Sequence, residues 1–247
     1  MFGKIKRFKN LIQKFYCRMS SDRWLNYLRA QGMKIGEGTA IFANPAYVLI
    51  DVTRPWMIEI GKNVQITRDV KILTHDYSYS VSIAAYGKVL GSCGKVKIGD
   101  NCFIGVGATI LKGTQIGNNV IIGAGSVVTG GNFPSDCVIA GNPARVICSL
   151  SDYFKKRLEL QVAEAEELVA QYYSAYHSLP TENVLDEFFW IFAPRNNESV
   201  KKYEHRLKLM NNYDATVSEF LKSEPLFDSY NDFIAHCAAK INIKTDE

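Results

Sequence analysis

Histidine is scarce in this chain, with four in 247 residues, which leaves little material for a histidine-rich metal centre. No stretch approaches the roughly eighteen consecutive apolar residues that a membrane-spanning helix needs, and no signal-peptide core follows the basic start. The six cysteines, Cys17, Cys93, Cys102, Cys137, Cys148 and Cys237, include no CxxC pair. That excludes a zinc knuckle and gives no hint of a secreted disulfide framework, so a reduced, cytoplasmic protein is expected. Charge of one sign is also lacking. The net charge of +4 is too small to imply a nucleic-acid partner. What is present is a hydrophobic fraction of 47% with 22% charged residues, an ordinary balance for a globular chain long enough to bury a sizeable core.

The positive charge is uneven. Residues 1–30 hold Lys4, Lys6, Arg7, Lys9, Lys14, Arg18, Arg23 and Arg29 against Asp22 alone. Phe2, Ile5, Phe8, Ile12 and Phe15 recur at helical spacing, which predicts an amphipathic helix over 2–30. Two uses fit it: a cap over the end of the following domain, or a basic face touching the inner surface of a membrane.

The middle of the chain is periodic. Ile98, Ile104, Ile110, Ile116, Ile122 and Val128 stand six residues apart without a break. At ordinary aliphatic usage such a run has a chance probability on the order of one in ten thousand. The next residues along are Gly99, Gly105, Leu111, Gly117, Gly123 and Thr129, and four places on from the first five aliphatics come Cys102, Ala108, Thr114, Val120 and Ser126. A helix turning every 3.6 residues would rotate such a pattern around its axis, and plain strand alternation needs no second fixed position. A six-residue period is the mark of a parallel β-helix, each repeat forming one side of a coil, with its aliphatic residue inward and Gly or Asn at the turns. The register reappears at Ile60, Ile66 and Ile72, with a fragment at Ile35 and Ile41. Ile41 to Ile60 is 19 residues, one more than three repeats, which predicts one inserted residue or bulge. Ile72 to Ile98 is 26, and residues 76–94 lack the pattern, which predicts a protruding loop of the kind that carries function.

After Arg145 the composition turns helical. Ser151 is expected to cap a helix running to just before Pro180 on the face Leu158, Val162, Ala165, Leu168, Val169 and Tyr172. A short apolar segment around Phe188, Phe189, Trp190 and Phe192 follows. Helices are predicted over 198–211, 214–222 and 230–241, the last opened by Ser229 and Asp232. The expected organisation is a helical cap over 1–30, a β-helix domain over 31–148 with the loop 76–94, and a helical extension over 149–247.

His75 is the one histidine in the repeat region, beside Asp76, where the regular coil breaks. Together with Ile72-Leu-Thr-His-Asp-Tyr77, Ile98-Gly-Asp-Asn-Cys-Phe-Ile-Gly105, Ile122-Gly-Ala-Gly-Ser-Val-Val-Thr129 and Ala140-Gly-Asn-Pro-Ala-Arg-Val146, it makes residues 30–148 resemble the hexapeptide-repeat O-acetyltransferases. The likeness is to the galactoside and maltose acetyltransferase branch and, more closely, to relatives that modify surface polysaccharides. The resemblance implies a mainly β fold, a left-handed parallel β-helix with an N-terminal helical cap and a C-terminal α-helical extension. It implies acetyl-CoA as cosubstrate, no metal, a homotrimer with sites between neighbours, and a sugar hydroxyl as acceptor. His75 matches the family's general base, a task suited to an imidazole. Asn44 and Asp51 match acceptor-binding positions. Phe103, Ala124 and Thr129 match positions along the cofactor, and Arg145 matches a cation near its phosphates. The chain departs from the family at Thr129-Gly-Gly-Asn-Phe-Pro134, which has one residue more than the usual Thr-Lys-Asp-Ile-Pro and no lysine. Lys112 is the candidate to replace that cation. Cys102 falls at an inward position and reads as core, so direct transfer is expected rather than an acyl-enzyme.

Four other readings bound this one. A zinc carbonic anhydrase on the same scaffold needs three histidines in the coils, and only His75 is there. A nucleotidyltransferase fusion needs more than the thirty residues that precede the repeat. A small-molecule acetyltransferase acting on a free sugar, an antibiotic or an amino sugar, and a β-helix scaffold without catalysis, both stay open.

Overall fold

A computed structural model of the chain describes residues 13–241. They form two compact units that divide between Tyr153 and Phe154.

The first unit is a parallel β-helix of three sheets. One sheet runs through Lys34–Ile35, Ile58–Ile60, Val96–Ile98, Thr114–Ile116 and Gly131–Phe133. The second runs through Ala40–Ile41, Gln65–Ile66, Phe103–Ile104, Val120–Ile122 and Cys137–Gly141, and ends on the antiparallel strand Ala144–Ser149. The third holds Leu49–Ile50, Lys71–Ile72, Thr109–Ile110 and Val127–Val128. The registers stack the repeat on itself: Ile41, Ile66, Ile104, Ile122 and Ile139 form one column, and Ile50, Ile72, Ile110 and Val128 another. Every one of these is buried, and each contributes about 1.5–3 kcal/mol by leaving water. Cys102, Ala108, Thr114, Val120 and Ser126 are buried as well, as the second periodic position requires.

Glycine follows the aliphatic residue because the coils approach too closely there for a side chain. A Cβ on Gly99 would stand 2.4 Å from the Gly117 carbonyl oxygen. One corner instead demands left-handed backbone, at φ of 54°, 55°, 55° and 58° for Asn63, Asn101, Asn119 and Asp136. Asparagine and aspartate tolerate that region. Their side chains also form a ladder: Asn63 donates to Asn101 (3.1 Å), Asn101 to Asn119 (3.1 Å) and Asn119 to Asp136 (2.7 Å).

Several expectations need correction. Ile41 to Ile60 is not three repeats plus one. It is two sides through Ile50, nine and ten residues long where six is regular, each lengthened by a 3-10 turn opened by a proline, Pro45–Tyr47 and Pro55–Met57. The segment 76–94 is not loop throughout, since it holds the helix Tyr79–Tyr86, none of whose residues is buried. At the N-terminal end the described helix is Ser21–Ala30, set off from helical residues 13–17 by a turn. Trp24, Leu25 and Leu28 bury its face in the β-helix core. The predicted apolar positions Phe2, Ile5, Phe8 and Ile12 lie outside the described residues, and Phe15 is exposed.

The Leu150–Tyr176 helix, whose residues from Phe154 onward belong to the second unit, starts two residues before Ser151 would allow. Ser149 does the capping, accepting from the Asp152 amide at 3.0 Å while its hydroxyl meets the Asp152 carboxylate. Ala165 and Val169 are buried, but Leu158 is exposed. Phe188, Phe189 and Trp190 lie in a 3-10 segment, Glu182–Ile191. The expected 198–211 helix is two pieces, Asn197–Lys202 and Glu204–Leu207. The last two helices, Tyr213–Lys222 and Tyr230–Lys240, form, and Ser229 caps the second by accepting from the Asp232 amide. No described helix is long and apolar enough to cross a membrane.

Candidate active site

His75 stands where the chain leaves the coil. Leu73 is still in the stack, its amide bonded to the Ile110 carbonyl at 2.9 Å. Two residues later His75 bridges to Cys93, and the Gly94 amide donates to the Thr74 carbonyl, so the excursion closes at its own neck. Lys112, from the next coil, pairs there with Asp76 and with the Ser92 hydroxyl, and Asp76 accepts from the Ser78 amide at 2.9 Å. Lys112 is therefore a clasp on this neck rather than a free cation, which removes the candidate for the missing phosphate contact.

Asp51 sits beneath His75. Its Oδ2 lies 2.7 Å from His75 Nδ1, and the side chains are only 4% and 15% exposed. The same oxygen accepts from the Thr74 amide and hydroxyl, while Oδ1 accepts from the Thr53 amide (2.9 Å) and hydroxyl (2.7 Å). Burial by itself would raise the Asp51 carboxyl. The hydrogen bonds from Thr74, Thr53 and His75 outweigh it and hold the group well below the usual carboxylate range. An ionised carboxylate only accepts, so His75 Nδ1 carries the proton of this contact, and in the neutral imidazole the lone pair then falls to Nε2. Tyr77 lies edge-on to the imidazole, ring centroids 5.4 Å apart.

The Asp51 oxygens are engaged by five donors of its own chain, His75 Nδ1 among them. Asn44 is exposed and caps the Pro45–Tyr47 turn, accepting from the Ala46 amide at 2.9 Å. No hydrogen bond joins Asn44 to His75 or Asp51. Thr53 and Thr74 escaped the sequence reading; a Thr-His pair one coil after an aspartate was the available signal, once that coil was counted as 22 residues.

Phe103, Ala124, Thr129 and Arg145 are all exposed on the β-helix. Ala124 lies against Gly105, one coil from Phe103, where a Cβ on that glycine would be 2.6 Å from the Ala124 nitrogen. Thr129 follows the third sheet's last strand, in register with Leu111. Arg145 donates to the Ala144 carbonyl and has no carboxylate partner among the described residues. None of the four is in hydrogen-bonding contact with His75. Cys102 is buried, and that burial pushes its thiol up to about 11, far from a usable nucleophile.

The comparisons agree with this architecture. Residues 95–130 match the family described as bacterial transferase hexapeptide (six repeats). Protein CapG of Staphylococcus aureus is 43% identical over 107 residues, covering 43% of this chain and 61% of CapG. The chain thus spans less than two thirds of CapG. YvoF of Bacillus subtilis (strain 168), an acetyltransferase by inference, is 33% identical over 144 residues, 58% of this chain and 73% of YvoF. Among solved structures, a maltose O-acetyltransferase from Clostridium difficile 630 is 27% identical, covers 56% of this chain and 87% of its own, and superposes with a TM-score of 0.42. With its coils of six-residue sides and a relative matched over most of that relative's length, the chain belongs to the hexapeptide-repeat acetyltransferase family.

Proposed function

We propose that this chain transfers an acetyl group from acetyl-CoA to a sugar hydroxyl, on a surface polysaccharide or its precursor, with His75 as general base. The observation that carries the reading is the buried Asp51–His75 pair at 2.7 Å, which fixes the tautomer and leaves Nε2 free at the neck of an exposed excursion. In the reaction Nε2 takes the acceptor's hydroxyl proton as the oxygen attacks the thioester carbonyl. The tetrahedral intermediate then collapses, the C–S bond breaks, and the departing CoA thiolate takes the proton back from the imidazolium. Asp51 stabilises that imidazolium without itself being protonated.

Arg145 suits the CoA phosphates, being exposed and without a carboxylate partner among the described residues. Phe103, Ala124 and Thr129 provide an exposed path along the coils for the pantetheine arm. Tyr77, Val81, Tyr86, Val89 and Leu90 are all more than half exposed. That is more apolar surface than one excursion normally leaves in water, and it supports a trimer in which a neighbouring copy covers it and completes the site. The acceptor class rests on the resemblance of residues 30–148 to acetyltransferases that modify surface polysaccharides and on the partly exposed position of His75.

Calorimetry with acetyl-CoA tests the donor without knowledge of the acceptor. Saturable binding near one site per chain is expected, followed by acceptor-dependent thiol release when sugars are screened. Folded protein that does not bind acetyl-CoA, with or without sugar, would sink the reading.

A further inference from the structure

The stripe that begins as Phe2, Ile5, Phe8 and Ile12 continues through Phe15 to Met19, at spacings of three and four residues throughout. A stripe like this near the end of a β-helix is usually there to close the core. Here that position is already filled. The Ser21–Ala30 helix places Trp24, Leu25 and Leu28 in the core with no more than 1% exposure. Arg29 fastens it by donating to the Ile35 and Gly36 carbonyls (3.0 and 2.9 Å), and the Ser21 hydroxyl accepts from the Ile41 amide. Residues 13–19 touch the core through Cys17. Their other side faces water, with Phe15 74%, Met19 64% and Tyr16 54% exposed.

Cations surround this apolar face. Arg23 lies over the Tyr16 ring at 4.5 Å and Arg18 over Trp24 at 4.6 Å. Among the described residues, no ion pair joins Lys14, Arg18 or Arg23 to a carboxylate. The first thirty residues carry eight lysines and arginines against Asp22 alone. A nucleic acid would satisfy the cations and leave the aromatic and aliphatic stripe in water. A lipid surface satisfies both, since the apolar side chains enter the acyl boundary while the cations stay with anionic headgroups.

We propose that the face carrying Phe15, Tyr16 and Met19, with the basic residues around it, docks on an anionic lipid membrane. This would hold the enzyme on a surface where acceptors attached to lipid are concentrated. The docking itself is independent of the acetyl-transfer reading.

The test is co-sedimentation of the full chain with vesicles of phosphatidylcholine alone or with about one third phosphatidylglycerol. Binding to the anionic vesicles is expected to be roughly tenfold tighter or more, and to vanish near 0.5 M salt, where the screening length is only a few ångströms. The double substitution Phe15→Ser and Met19→Ser should weaken it about tenfold at unchanged oligomeric state. A variant with Lys4, Lys6, Arg7 and Lys9 all changed to Gln should weaken it at least as much. Equal partition into both vesicles, no partition by wild type, or salt-insensitive binding would overturn the proposal. So would a Phe15/Met19 variant that sediments with vesicles like wild type but changes oligomeric state by light scattering, because the face would then join copies of this chain.

Discussion

The β-helix has two halves that obey different rules. From Ile98 to Val128 every side is six residues long, and its inward positions are aliphatic or small. The polar side chains buried there, Thr114 and Ser126, bond to backbone within or between coils. From Ile41 to Ile98 three sides are lengthened, and the buried carboxylate Asp51 stands at one break with His75 at another. The difference teaches why the buried Asp51–His75 contact sits where the pattern fails. A six-residue side has no spare backbone with which to satisfy a buried charge, and an unsatisfied one is costly. A longer side can turn amide and hydroxyl donors inward, as Thr53 and Thr74 do.

If that division is real, substitutions in the interrupted half should act on turnover and those in the regular half on stability. The sharpest case is His75→Ala, for which turnover should fall by roughly 10²–10⁴-fold. Its unfolding free energy should move by no more than about 1 kcal/mol, the size of one hydrogen bond. Steady-state kinetics beside urea denaturation would show both, and a large stability loss with retained turnover would reverse the division. Ile110→Ala makes the opposite case. It should cost about 2–5 kcal/mol of stability by opening a cavity between coils, while turnover per folded molecule stays close to wild type.

Asp51→Asn sharpens the comparison further. Turnover is expected to drop about a hundredfold, because an amide cannot hold the imidazolium as a carboxylate does. Acid titration adds a second readout. The native carboxyl titrates below its unfolded value, so its stabilising effect is complete above about pH 4 and is lost as pH falls toward the native pKa. Wild type should therefore lose stability below about pH 4 more steeply than Asp51→Asn does. Parallel acid limbs in the two proteins would count against the network. The smallest effect belongs to the corner ladder. Asn101→Ala should cost roughly 1–2 kcal/mol in thermal unfolding through left-handed strain and two lost hydrogen bonds. Asn101→Gly should cost less, since glycine accepts that backbone freely. Equal losses would assign the whole effect to the ladder.

The regular coils were legible residue by residue, because Ile98, Gly99 and Cys102 each report a constraint met again in every coil. The interrupted coils were not. Counting from Ile41 to Ile60 in sixes skipped Ile50 as a wall of the prism and so concealed that Asp51 lies one coil below Leu73. His75 stood out as the lone histidine at a break, yet neither its partner nor the threonines that support it had any periodic signature. Lys112 looked like a spare cation because its contacts with Asp76 and Ser92 cross 36 and 20 residues of chain.

By itself the sequence determined the coil: a short repeat with an inward aliphatic, a glycine at the close approach and asparagine at left-handed corners is local information. It also marked the basic, apolar stripe at the start. Only the tertiary structure decided what occupies each break. It paired Asp51 with His75, folded a helix into the excursion, and closed the core with Trp24, Leu25 and Leu28 while leaving Phe15 and Met19 in water. The reason is physical. Periodicity fixes which way a side chain points within a coil, but which residues meet across coils depends on how many residues each turn consumes. Turns are set by particular hydrogen bonds and prolines, not by a repeating pattern.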